Sequence, residues 1–151
     1  MKVIIHGCSM GSGIVCLMAA MDLPKEIKCI ISDCGFSKIG DEFSCYMQKH
    51  YLLKFRLAVS FVLNTFEKYS GESLKKNTPL DAVSHAKVPM LFIHGTADNL
   101  IPWEQSKLLY EACSSEKEFI TVEGAGHIQS STVDPERYFN TVFGFISKHM
   151  D

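Results

Sequence analysis

No two of the six cysteines, at positions 8, 16, 29, 34, 45 and 113, are spaced as C-x-x-C, and the six histidines are scattered along the chain. The spacing therefore gives no support to a zinc ribbon or a dithiol redox centre, and neither a metal nor a cofactor is expected. A disulfide framework is out of place in 151 residues, so the cysteines read as reduced, mostly buried thiols of a cytoplasmic protein. Positive charge is not in excess: the formal net charge is −2, which offers no basic field for nucleic acid. Long apolar runs are missing too. Met1-Lys2 is followed by three strongly apolar residues before His6, too few for a secretory signal. The most apolar helical stretch, Leu52 to Phe66, carries Lys54, Arg56 and Asn64 and is too short and too charged to span a bilayer. There is no internal repeat, charge block or low-complexity segment.

What is present is an ordinary soluble composition, 46% hydrophobic and 21% charged, in a chain long enough for one domain with a real core. Val3-Ile4-Ile5 reads as a buried strand, and Ile14, Leu17, Met18 and Met21 then recur at helical spacing until Leu23-Pro24. Ile27 to Ser32 is a second β-branched run, so the opening is strand, helix, strand, the unit of a parallel sheet. Between Cys34 and Val88 no strand is evident. Phe43, Met47 and Tyr51, and then Phe55, Val59, Val62, Phe66 and Tyr69, mark two helices between Gly40-Asp41 and Ser70-Gly71. They form a helical insertion over about 36–77, read as core packing or, alternatively, as a lid. Thr78-Pro79 has the form of an N-cap with proline at the first helical position. A third strand covers Val88 to Ile93, and a helix carrying Leu108, Leu109 and Ala112 follows Pro102. A fourth strand covers Glu118 to Val122. Asp134-Pro135 starts a final helix whose buried face is expected to hold Tyr138, Val142, Phe145, Phe139, Phe143 and Ile146. The class is α/β: a mostly parallel sheet of about four strands flanked by helices, in a single domain over 1–151.

The chemistry sits at the strand ends. In "VIIHGCSMGSGIV" Gly7 and Gly11 flank Ser9 two residues away on either side. A sharp strand-to-helix turn crowds those positions, and the missing Cβ relieves it. This is the G-x-S-x-G pattern of a nucleophile elbow. A Gly-rich turn with an incidental serine is the plain alternative. A phosphate-binding loop would need Lys and then Ser or Thr after the second glycine, where Ser12-Gly13-Ile14 stands. Serine is a poor nucleophile at neutral pH and needs a base, which in turn needs an acid to fix its tautomer. Asp98 follows the third strand and His127 the fourth. In a parallel sheet those loops share one edge with Ser9. Asp98 beside Asn99 would also serve as a turn former, and His127 as a mere loop histidine. Asp33, at the end of the second strand, is the rival acid, with a capping or loop-pinning role as its alternative. Cys8 occupies the variable position of the elbow and is given no catalytic role.

"HGCSMG", "ISDCGFS", "PMLFIHGTADNLIP" and "VEGAGH" together resemble the C-terminal part of an α/β-hydrolase, of the bacterial serine esterase and aminopeptidase-like group. The resemblance covers nearly the whole chain, from the fifth of the usual eight strands to the last helix. It implies Ser9 as nucleophile, His127 as general base, Asp98 as orienting acid and the Met10 backbone N–H as one oxyanion donor. The implied substrate is a small carboxylic ester or amide. In that group His-Gly belongs to an oxyanion loop after an earlier strand, so His6-Gly7 and His94-Gly95 stand in the wrong place for one. The resemblance also implies four earlier strands and the second oxyanion donor outside this sequence. The chain is then expected to be a fragment, or half of a larger assembly. It would self-associate or pair with a complementing N-terminal half through the edge of its first strand. A non-catalytic binding or interaction domain is the alternative function.

Overall fold

The computed structural model describes residues 1–38, 64–65, 68–69 and 78–150. Four runs rich in β-branched and aromatic residues form one sheet: β1 (Val3–Cys8), β2 (Ile27–Asp33), β3 (Met90–Gly95) and β4 (Lys117–Val122). All neighbours are parallel and the order is sequential, β1-β2-β3-β4. Between them run α1 (Met10–Met18), α2 (Pro79–Val83) and α3 (Glu104–Ala112), and after β4 come α4 (Ser130–Val133) and α5 (Pro135–His149).

Side chains alternate across a strand, so β3 feeds two cores at once. Met90 and Phe92 join Ile30, Val15, Cys16, Val83 and Leu109 on the side of α1, α2 and α3. Leu91 and Ile93 join Cys29, Ile31, Tyr138, Val142 and Phe145 on the side of α5. Each of these fully buried side chains contributes about 1.5–3 kcal/mol relative to an exposed one. That two-sided burial explains why "MLFI" is an unbroken apolar run.

Caps act where the sequence puts them. Thr78 Oγ1 accepts from the Asp81 N–H at 3.1 Å, and Asp134 Oδ1 accepts from the Arg137 N–H at 3.1 Å, each with proline at the start of its helix. The connection from β2 to α2 is tied at both ends. Leu80 N–H donates to the Ser37 carbonyl at 3.0 Å, while Ser37 N–H and Oγ–H both donate to Gln105 Oε1 of α3.

Several expectations change. The strands run further than read: β1 to Cys8, β2 to Asp33 and β3 to Gly95, with β3 starting at Met90 rather than Val88. The short helix α4 carried no apolar period and went unread. The face of α1 that meets the sheet is made of small residues, Ser12, Gly13, Val15 and Cys16, which let the helix come close. Ile14 and Met21, read as part of its apolar stripe, are exposed. On α5, Tyr138, Val142 and Phe145 are buried, but Phe139 and Phe143 are 44% and 60% exposed. Leu108 also faces outward. The two helices of the insertion lie outside the described residues, apart from 64–65 and 68–69, which are helical.

Candidate active site

The register brings the strand ends level. Cys8 pairs with Asp33, Asp33 with Ile93, and Gly95 with Val122. The next residue after β1 is Ser9, the third after β3 is Asp98, and the fifth after β4 is His127. All three leave the carboxyl edge of the sheet, and their side chains meet there.

Ser9 stands between β1 and α1 with φ 54° and ψ −116°. This backbone region is sparsely populated for a residue with a Cβ and costs on the order of 1–3 kcal/mol. The turn is held by the Ser9 N–H donating to the Asp33 carbonyl at 3.0 Å and by the Ser12 N–H donating to the Ser9 carbonyl at 3.0 Å. A Cβ on Gly7 would overlap the carbonyl of Gly11, whereas a Cβ on Gly11 would meet nothing. Only the first glycine is sterically required. The second is crowded against by Gly7 and is not itself crowded, which corrects the expectation that both relieve a clash at Ser9. Met10 is the first residue of α1, a position whose backbone N–H has no acceptor within its own helix.

Ser9 Oγ lies 2.8 Å from His127 Nε2, and His127 Nδ1 lies 2.7 Å from Asp98 Oδ2. Asp98 is buried, and its carboxylate accepts four bonds. Leu100 N–H and Ile101 N–H donate to Oδ1 at 2.8 and 2.9 Å, and His127 and His94 reach Oδ2 at 2.7 and 3.2 Å. Burial pushes the Asp98 carboxyl up, but the bonds from His94, Ile101, His127 and Leu100 outweigh it and hold it down at about 2. The Asp98 carboxylate is therefore ionised, with His127 Nδ1 at one of its oxygens. Because a carboxylate only accepts, His127 carries its proton on Nδ1 and leaves Nε2 to accept from the Ser9 hydroxyl.

His94, weighed from the sequence only as part of a misplaced His-Gly, has a place here that the sequence reading missed. It is fully buried on β3. Its Nε2 lies 3.0 Å from the Ile101 carbonyl and 3.2 Å from Asp98 Oδ2. Both are acceptors, so Nε2 bears the proton. Nδ1 lies 2.6 Å from Ser106 Oγ of α3, and Ser106 Oγ in turn accepts from the Gly35 N–H at 3.2 Å. His94 thus ties the Asp98 loop to α3 and to the loop after β2. The signal was its place inside the buried run "LFIHG", where an imidazole needs partners on both nitrogens.

Asp33 is placed elsewhere. It is buried on the α5 side of the sheet, and Tyr138 Oη donates to its Oδ2 at 2.8 Å. The described bonds of the His127 ring go to Asp98 and Ser9. Asp33 ties α5 to the strand ends, close to the pinning role read as its alternative. Cys8 is exposed, and Cys16, Cys29, Cys34 and Cys113 are buried and free. Among the described residues no helix is long and apolar enough to cross a membrane.

Known proteins share this architecture. The protein YqkD of Bacillus subtilis strain 168, itself uncharacterized, is 26% identical over 147 residues, 97% of this chain and 48% of its own length. The esterase Pf2001 of Pyrococcus furiosus superposes with a TM-score of 0.65 at 25% identity, covering 99% of this chain and 54% of that one. The acylaminoacyl peptidase of Pyrococcus horikoshii superposes with a TM-score of 0.70 at 17% identity, covering 99% of this chain and 24% of that one, a likeness of fold. The chain thus spans about half the length of the relative and the esterase. The α/β-hydrolase architecture, the strand-end elbow and a match of the prolyl oligopeptidase family model over residues 1–151 lead to one conclusion: the chain belongs to the prolyl oligopeptidase family.

Proposed function

We propose that this chain carries the nucleophile, base and acid of a serine hydrolase that cleaves a carboxylic ester or small amide through an acyl-enzyme. The observation that carries the reading is the continuous relay Ser9–His127–Asp98, with links of 2.8 and 2.7 Å, assembled from three loops at one sheet edge. The family, and the esterase activity named for Pf2001, support the same reaction class.

In this reading Ser9 Oγ attacks the acyl carbon as its proton passes to His127 Nε2. Asp98 stabilises the imidazolium, and the positive charge that forms sits against a carboxylate already filled with donors. The carbonyl oxygen becomes an oxyanion beside the Met10 N–H at the start of α1, where the helix dipole favours negative charge. His127 returns its proton to the leaving alcohol or amine, and a water then repeats the sequence to free the acid. A single backbone donor leaves the oxyanion half served, and one missing donor costs about 10²–10³ in rate. We assign the second donor and the walls of the substrate pocket to a segment that pairs along the outer edge of β1. A binding or interaction domain is the second reading, favoured by that edge, which pairs with no strand among the described residues.

A fluorophosphonate probe tests the proposal, because it needs only an activated serine. Ser9 is expected to be labelled and the Ser9→Ala variant to stay unlabelled. Labelling of the variant at another serine, or none in the parent chain, would overturn the assignment.

A further inference from the structure

We propose that His6, Cys8 and Asp33 form a binding site for one borderline divalent cation of the Zn²⁺ class, separate from the Ser9 relay. The topology makes the cluster. His6 and Cys8 are two apart on β1 and so share a face. Cys8 is the register partner of Asp33 on β2. The face is the α5 side, where Tyr138 lies 3.4 Å from His6 Nε2 and 2.8 Å from Asp33 Oδ2. One donor atom from each of the three residues lies within 4.8 Å of the other two, and Cys8 Sγ is 3.7 Å from His6 Nε2. With Zn–S of about 2.3 Å and Zn–N of about 2.0–2.1 Å, a tetrahedral ion puts those ligands roughly 3.5 Å apart. The pair already stands near that spacing.

An independent observation points to a ligand. Asp33 is 4% exposed, and its Oδ1 is buried with no hydrogen-bond partner among the described residues. A buried carboxylate oxygen without a donor is costly, and a cation beside it removes that cost.

The donor set selects the ion. Nitrogen, sulfur and oxygen from three residues suit Zn²⁺ and its neighbours, whereas Mg²⁺ and Ca²⁺ take oxygen alone. Thiolate and carboxylate together balance a charge of +2. Coordination releases the Cys8 proton to solvent and leaves one tetrahedral position for water. Asp33, oriented by the Tyr138 hydroxyl, is the fixed ligand. His6 and Cys8 are exposed and turn to meet the ion.

The test is a titration of the untagged chain with zinc chloride against a chromogenic chelator, paralleled by Co²⁺ spectra. One equivalent of zinc is expected, with a thiolate-to-cobalt charge-transfer band. His6→Ala and Cys8→Ser are expected to lose the equivalent. Tyr138→Phe should weaken it by about 10–100-fold, as loss of an outer-shell partner does. Cys8→His keeps a ligand, so it should still bind zinc but lose the charge-transfer band, which separates lost coordination from lost folding. No stoichiometric zinc, or a charge-transfer band that survives in Cys8→Ser, would overturn the proposal. The readout is metal binding, so its result stands apart from the hydrolase reading.

Discussion

Asp98→Asn changes one atom and should act on two measurable properties. The carboxylate accepts from Leu100, Ile101, His127 and His94. An amide oxygen can keep the two backbone donors, but the amide NH₂ then faces two ring nitrogens that both carry protons. His127 escapes by moving its proton to Nε2, and it then donates to Ser9 where it should accept. Serine activation, read as the rate of fluorophosphonate labelling, should fall by about 10⁴-fold, the size that follows when the acid of such a relay becomes its amide. The second effect is on stability. The Asp98 carboxyl lies at about 2 in the folded chain against an ordinary 3.8. A depressed carboxyl contributes stability that is present above its unfolded value and lost as pH falls through its folded value. The difference is worth about 2 kcal/mol, lost between roughly pH 4 and pH 2. Urea melts of both chains over that range should show the parent losing this increment and Asp98→Asn not losing it. The raised carboxyl of Asp33 is common to both chains and cancels in the difference. Labelling within about tenfold of the parent, or parallel acid limbs, would refute the reasoning.

Other outcomes follow from single contacts. Gly7→Ala should destabilise by about 1–3 kcal/mol, because its Cβ meets the rigid Gly11 carbonyl, while Gly11→Ala should be neutral or better; paired urea melts compare them, and equal costs would contradict the geometry. Asp33→Asn should slow labelling of Ser9 far less than Asp98→Asn, since Asp33 bonds Tyr138 rather than His127; the reverse ranking would move the acid to β2. The chain should self-associate through the outer edge of β1 with the exposed Phe139 and Phe143 of α5, Ile14 of α1 and Met21 just after it. Sedimentation should show this concentration-dependent, and a monomer at every concentration would speak against it.

The strands, their order along the chain and the strand-end positions of Ser9, Asp98 and His127 were legible because each rests on local pattern. β-branched runs, glycine at a turn and polar residues just past strand ends all leave a mark in one stretch of sequence. What the pattern misled on was facing. In α1 the sheet wants small residues for close approach, so Val15 and Cys16 turn inward and the larger Ile14 outward; apolar periodicity alone weights size the wrong way there. In α5 the extra phenylalanines, Phe139 and Phe143, extend the apolar stripe beyond the surface that the sheet covers. His94 and the cluster of His6, Cys8 and Asp33 were hidden for a different reason. Their meaning depends on which residue of another strand or helix stands opposite, and only strand register supplies that.

The tie between Ser37 and Leu80 bears on how this fold can vary. Four residues past the end of β2 the backbone passes Ser37, whose carbonyl accepts from the Leu80 N–H where the chain enters α2, with Gln105 clasping Ser37. Exit and return therefore lie side by side. Doubling the length of a flexible segment that joins two such points costs only about 0.6 kcal/mol in closure entropy. Ser9, Asp98 and His127 all hang from the other three strand-to-helix turns, so the bonds that set their spacing are made outside the Ser37–Leu80 connection.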